Sequence, residues 1–412
     1  MVKHEPVRGS YSGDSFRTAP YRCQDTTRAK NRKEPQMELH SLNTPAALID
    51  VERMNHNIER MQQRLNALGV RFRPHVKTTK CEQVVRAQMD AGAHGITVST
   101  LKEAEQFFAS GIRDIVYAVG MAPTKLAQAL TLRRQRCDLK IVADSVACAQ
   151  AIVAFGREHE EVFEVWIEID VDGHRSGIAP DDDLLLTVAT ALSDGGMHLG
   201  GVIAHAGSSY DYDTHEELVR IAEQERSGCV RAAQRVRAAG LQCDVVSIGS
   251  TPTALAAEHL EGVTEVRAGV YVMFDLVMHN VGVNETSEIA LSVLTTVIGH
   301  QSEKGWAIVD AGWMAMSRDR GTQRQKQDFG YGLVCLENGD VLGEYVMSGA
   351  NQEHGIVSRS HTPDREIERR FPIGTRLRIL PNHACATGAQ HPAYQAISAD
   401  GTVETWPRFY GW

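Results

Sequence analysis

The 412-residue chain has no apolar run long enough to cross a bilayer, and its N-terminus lacks the apolar stretch of a signal peptide. It has no CxxC pair either. Its eight cysteines (Cys23, Cys81, Cys137, Cys148, Cys229, Cys243, Cys335, Cys385) are scattered. That leaves no disulfide scaffold and points to a reducing cytoplasm. Nor is there an excess of positive charge: a formal net charge of −9 leaves no electrostatic case for nucleic acid or for an anionic membrane. Internal repeats and low-complexity tracts are also missing. What remains, 42% hydrophobic and 23% charged, is the composition of a globular protein with ample core, suited to a small-molecule substrate.

Residues 1–36 are polar and basic and are expected to form a disordered arm. Periodic sequence begins near "MELHSLNTPAALID", which makes Met37 a candidate natural start. From Thr44 to Asn284, eight short apolar runs alternate with helix-period segments: "GVRFRP", "GITVS", "DIVYAV", "LKIVA", "EVWIEID", "LGGVIAH", "DVVSIG" and "TEVRAGVY". Between them lie segments such as 51–68, 101–111 and 215–240, with apolar residues at three- and four-residue spacing. Thr100 and Glu103 form a capping-box pattern at the start of the second. This order fits a (β/α)8 barrel over 44–284, and an open doubly wound sheet would give a similar one-dimensional pattern. Past "HNVGVNETSE" the pattern turns to short strands with Glu-Asn-Gly-Asp and Ala-Asp-Gly-Thr hairpin turns. An antiparallel β domain is therefore expected over 285–412, together with 37–43.

In a (β/α)8 barrel the chemistry lies at the carboxyl ends of the strands. Lys77 follows the first strand, Ser99 ends the second, Arg175 follows the fifth and His205 ends the sixth, so all four fall at one end. Gly249, Ser250 and Thr251 follow the seventh strand, and Gly269, Val270 and Tyr271 lie on the eighth. Small residues admit backbone N–H groups to an anion and hydroxyls donate to it, which suits a phosphate; a simple turn before a helix uses the same residues. A lysine opposite a phosphate cradle suits a phosphorylated aldehyde such as pyridoxal phosphate. In "LPNHACATGAQH", His383 and Cys385 stand two apart and on one strand would share a face. Imidazole plus thiolate suits zinc with positions left for water and substrate.

"RPHVKTTK", "GSTPT", "AGVY", "DAGWMAMSRDRG", "QEHG" and "PNHAC", in this order, resemble the D-serine dehydratase and D-threonine aldolase family, the metal-assisted branch of alanine racemase-type (fold type III) pyridoxal phosphate enzymes. The resemblance spans about residues 40–412. It implies that Lys77 is the Schiff-base lysine and that His383 and Cys385 bind zinc, manganese or another divalent metal. It also implies that Thr251, Gly269 and Val270 hold the cofactor phosphate, with Arg175, His205 and Tyr212 around the ring. The expected activity is a lyase reaction on a small 3-hydroxy-D-amino acid, by a cytoplasmic homodimer. The sequence departs from the family pattern at Thr79, His205 and Asp211. Cys385, with no histidine near Asp211, leans toward dehydration to a 2-oxo acid and ammonia. Retro-aldol cleavage to glycine and an aldehyde is the alternative, and a non-catalytic pyridoxal phosphate carrier is the reading from a different class.

Overall fold

The computed structural model describes residues 37–412; the expected N-terminal arm lies outside them. Eight parallel strands follow the order read from the sequence: β1 Arg71–Phe72, β2 Ile96–Val98, β3 Asp114–Gly120, β4 Asp138–Ala143, β5 Glu164–Ile169, β6 His198–Ala204, β7 Val245–Ile248 and β8 Glu265–Val266. They pair in sequence order, with β8 against β1. A parallel bridge between His75 and Thr97 joins β1 to β2, and the sheet is a closed (β/α)8 barrel.

The connecting helices bury one face each, for the reason the sequence gives. Helix Val51–Ala67 starts at Asp50, whose carboxylate accepts from the Arg53 amide, and it buries Met54, Ile58, Met61 and Leu65 at helical spacing. Helix Leu101–Ala109 starts at Thr100, whose hydroxyl accepts from Glu103 N. The Glu103 carboxylate accepts from the Ser99 amide at 3.0 Å, one residue before the N-cap, so the expected box is only half formed and its second arm pins the end of β2 instead.

Inside the barrel, Val116, Val142, Trp166 and Ile203 pack as an apolar layer. At the amino ends of the strands, buried Arg73 pairs with Glu265 at 3.0 Å and with Asp114 at 2.6 Å, and Lys140 reaches Asp114 at 2.7 Å. Losing one partner of such a buried cluster costs about 3–5 kcal/mol. These two layers fill the lower barrel, so a ligand enters only from the carboxyl ends.

The second sheet has ten strands. Six of them, Leu291–Gln301, Trp306–Val309, Gly355–Arg359, Val341–Ala350, Gly332–Leu336 and Arg376–Pro381, pair in that order. The last returns to the first, closing an antiparallel barrel around Val293, Val309, Met347, Val357 and Ile379. Both expected hairpin turns link strands here. Ala46–Asp50, however, belongs to this sheet and not to the parallel barrel, as an expectation starting the barrel at 44 had it. It pairs antiparallel with Leu291–Leu294 and parallel with Gln395–Ile397. Its Ala47, Leu48 and Ile49 are buried in succession, so alternation could not say which sheet would cover them.

Candidate active site

A cavity of about 900 Å³ opens at the carboxyl ends of β1–β8 and is walled on one side by the β domain. Lys77, Arg175, His205, Tyr212, Gly249, Ser250, Thr251, Gly269, Val270, His383 and Cys385 all line it, as does Ser99. Tyr271 does not. Its phenol accepts from Gln88 Nε2 at 2.7 Å and its ring packs edge-on to Phe72, so the side chain leaves the barrel mouth for helix Glu82–Asp90. Val270 and Tyr271 lie in the 3₁₀ turn Val270–Val272 beyond β8 and not on the strand, and of the two only Val270 lines the cavity.

Lys77 lies in the short 3₁₀ turn Val76–Thr78 that follows β1. Among the described residues its ammonium has no hydrogen bond or ion pair, so its only neighbours are those of the cavity. His205 Nδ1 lies 2.9 Å from the Gly249 carbonyl. A carbonyl only accepts, so Nδ1 carries the proton. Burial, reinforced by the Lys77, Arg267 and Arg175 charges, pushes the His205 pKa down to about 4 and outweighs that hydrogen bond. His205 is therefore neutral, with Nε2 unprotonated. Arg175 reaches Glu168 at 3.8 Å from an exposed position, and Tyr212 lies under the Arg220 guanidinium.

Two cavity residues not singled out from the sequence are buried with unused polar atoms. Arg267 donates through one nitrogen to the Ala204 carbonyl, but its Nε has no partner, and His75 Nδ1 has none. Burial first, then the cations Lys77 and Arg267, keep His75 far below its usual range. Both residues stood inside quoted stretches, "RPHVK" and "TEVRAGVY". A charged residue in an otherwise apolar strand was the available signal.

The turn after β7 offers backbone more than side chains. Ser250 Oγ caps helix Thr251–Ala256 and bonds Ser209 and Thr253, which uses the hydroxyl. Thr251 Oγ1 accepts from the Tyr271 amide at 3.2 Å and keeps its own proton to donate. Gly249 has φ +135, and a Cβ there would meet the Arg267 carbonyl at 2.1 Å; one on Gly269 would lie 3.0 Å from the His75 carbonyl and 3.2 Å from Thr78 Oγ1. Gly249 requires glycine on both counts, and at Gly269 a side chain would fit only tightly.

His383 and Cys385 come together differently from the expectation of one strand. The strand ends at Pro381, and Ala384–Gly388 is a helix with His383 at its N-cap. The chain turns at Asn382, whose side chain donates to the Gly330 carbonyl at 2.7 Å and accepts from Thr322. Cys385 Sγ lies 3.3 Å from Thr78 Oγ1, next to Lys77. His383 Nδ1 donates to Asp319 at 2.5 Å, which leaves Nε2 for another partner. Burial alone would lower the His383 pKa, but the Cys385 thiolate and Asp319 hold it up at about 11. Burial opposes the Cys385 thiolate, yet His383 and the Thr78 hydroxyl bring that pKa below its usual value. His383 is thus an imidazolium, and beside it the Cys385 thiol ionises more readily than a free one. No group of three or more His, Cys, Asp or Glu side chains with metal-holding geometry occurs among the described residues.

Asp319 was not recognised in the sequence. A metal-binding histidine is oriented by the acceptor on its other nitrogen. Asp319→Asn is therefore expected to weaken divalent-metal affinity about 10- to 100-fold with little change in folding. Zinc titration against a competing chelator measures this, and an unchanged affinity would sink the assignment.

An eight-stranded barrel with a β domain over its mouth, a lone lysine after the first strand and glycines after the seventh and eighth define an alanine racemase-like enzyme. The model for the alanine racemase N-terminal domain matches residues 49–276, and that for the serine dehydratase domain matches 290–397. The chain is 68% identical over 379 residues to D-threo-3-hydroxyaspartate dehydratase of Delftia sp. (strain HT23), covering 92% of this chain and all of the relative. The solved structure of that dehydratase superimposes with a TM-score of 0.91 over 92% of this chain and all of the other. Its solved variants include one with a histidine changed to alanine and a metal-free one with a cysteine, two positions on, changed to alanine. D-serine dehydratase of Dictyostelium discoideum is 28% identical (89% of this chain, 96% of the relative), and D-threonine aldolase of an Arthrobacter species is 29% identical (90% and 93%). The chain belongs to the D-serine dehydratase and D-threonine aldolase family of alanine racemase-type enzymes, and it is a lyase. The carrier reading is set aside by this kinship.

Proposed function

We propose that the chain is a pyridoxal phosphate- and divalent metal-dependent dehydratase of 3-hydroxy-D-amino acids, with D-threo-3-hydroxyaspartate as its substrate. The observation that carries this is 68% identity over the whole length of a dehydratase of that compound. The residues present fit both groups. The unpartnered donor Arg267 Nε suits a ring nitrogen, the Gly249–Thr251 and Gly269–Val270 backbones suit a phosphate, and Lys77 suits the aldehyde carbon. His383 and Cys385 would hold the metal, with zinc favoured by an imidazole–thiolate set. That the histidine and cysteine varied in the Delftia enzyme are also two positions apart supports them.

Bound, the cofactor supplies an electron sink for the Cα carbanion and the metal a Lewis acid for the departing hydroxide. Lys77 Nζ takes the Cα proton. Thr78, between Lys77 and Cys385 Sγ, fixes the distance between the two ends of the reaction. Neutral His205 adds no charge beside the ring. The product enamine hydrolyses to a 2-oxo acid and ammonia.

Arg324 and Lys326 also line the cavity, and neither has an ion-pair partner among the described residues. They follow Asp319 on the loop that orients His383. The carbon bearing the substrate hydroxyl also bears its second carboxylate, so this loop is suited to both groups. Incubating the loaded enzyme with D-threo-3-hydroxyaspartate should give oxaloacetate and ammonia by NMR; glycine and glyoxylate would make it an aldolase, and no turnover would overturn the substrate. Arg324→Ala should raise KM for this dicarboxylate about 10-fold and leave D-serine little affected, since a charge-assisted hydrogen bond contributes about 1.5–3 kcal/mol. The free cysteines among the described residues support a cytoplasmic setting. The resemblance implies a homodimer, which light scattering checks.

A further inference from the structure

The Lys77 side chain has no partner to hold it, so its direction depends on the backbone of its turn. That backbone is under constraint: Lys80, which closes the turn, has φ +47, unusual for a residue with a side chain. Two exit carbonyls of the turn are held by groups more than three hundred residues away. The Tyr394 hydroxyl donates to the Thr79 carbonyl at 3.2 Å, across 315 residues of sequence. The Phe409 amide donates to the Lys80 carbonyl at 2.7 Å, and Cys81 and Arg408 pair as an antiparallel bridge.

Arg408 Nε donates to the Tyr394 oxygen at 3.1 Å, so the phenol receives from the guanidinium while giving its own proton to Thr79. Both side chains are buried, at 1% and 7% exposure. Packing alone would favour apolar side chains there, because each buried polar group must first recover its desolvation. What the polar pair adds is direction: a carbonyl held by a hydroxyl of fixed orientation.

We infer that Arg408 and Tyr394 are positioning residues for Lys77, a relay from the β domain that sets where the ammonium enters the cavity. This rests on the reading of Lys77 as the cofactor lysine. A displacement of about 1 Å at a reacting group can cost 10²-fold in rate.

Tyr394→Phe keeps the ring and its packing but removes the donor to Thr79. After reconstitution with pyridoxal phosphate, it should shift the pH titration of the cofactor's visible band and lower kcat about 10- to 100-fold, with KM changed less than about twofold. Tyr345→Phe serves as the control: it removes a buried phenol's hydrogen bond to Asp364 in the β domain, away from the Lys77 turn, and should lower Tm while leaving the titration unmoved. If Tyr394→Phe lowers Tm alone, with wild-type kcat and titration, the pair is structural and the inference fails. If Lys77→Ala keeps the wild-type visible band, the lysine reading itself falls. The two failures are therefore distinct.

Discussion

Lys77→Ala should abolish both the visible absorbance of reconstituted enzyme and its turnover. One residue would bind the aldehyde carbon and then move the Cα proton. General-base action alone is worth about 10²–10⁴-fold, or roughly 3–5 kcal/mol of barrier. Loss of the covalent anchor adds to this, so kcat should fall by at least about 10⁴-fold. Folding should be little changed, because the ammonium makes no hydrogen bond or ion pair among the described residues. Thermal unfolding of the apoprotein checks that point, and borohydride reduction followed by peptide mapping checks the anchor. A wild-type band in the variant, or the reduced cofactor on another lysine, would refute it.

His383→Ala with Cys385→Ala should remove the stoichiometric metal and keep the visible band, because the metal pair is carried by the β domain while the proposed cofactor contacts lie on the barrel. Lewis-acid stabilisation of a leaving hydroxide is worth several kcal/mol, so dehydration should drop about 10³-fold or more. Excess metal should not restore it. A chelator should do the same reversibly to the wild type. The pair's protonation gives a second readout. In the metal-free protein His383 is held protonated up to about 11, so a metal entering at neutral pH displaces the imidazolium proton. Apparent affinity should then rise about tenfold per pH unit through neutrality. Full activity of the double variant in chelator, or an affinity flat with pH, would count against the site.

The sequence carried the eight strands because each is a short apolar run bounded by turns, and it carried Lys77, Arg175 and His205 because strand ends are visible wherever such runs stop. It could not carry Asp319, 64 residues from the histidine it orients, since nothing local marks a long-range acceptor. Arg267 was hidden for another reason: its surroundings read as strand, and only the closed barrel shows that it lines the cavity with its Nε buried and unpartnered. His383 and Cys385 were identified on an incorrect local geometry. Spacing of two suits a strand, but it equally serves an N-cap and the second residue of a helix. Ala46–Asp50 was legible as an apolar segment, yet which sheet it joins is decided by pairing with residues some 250 positions later.

That strand makes the β domain discontinuous in sequence: the whole parallel barrel is an insertion between its strands Met37–Glu38 and Ala46–Asp50 and those from Leu291 onward. During synthesis Ala46–Asp50 emerges first and waits, unpaired, for Leu291–Gln301 and Ala393–Ile397, while the barrel between them can form on its own contacts. Docking of this strand should be a late, rate-setting event, because its loop must close over the entire barrel. The same arrangement brings Met37–Glu38 beside Thr402–Val403. A circular permutant of residues 37–412 that links Trp412 to Met37 and opens a barrel surface loop would make the β domain continuous, and it should refold faster than the natural order.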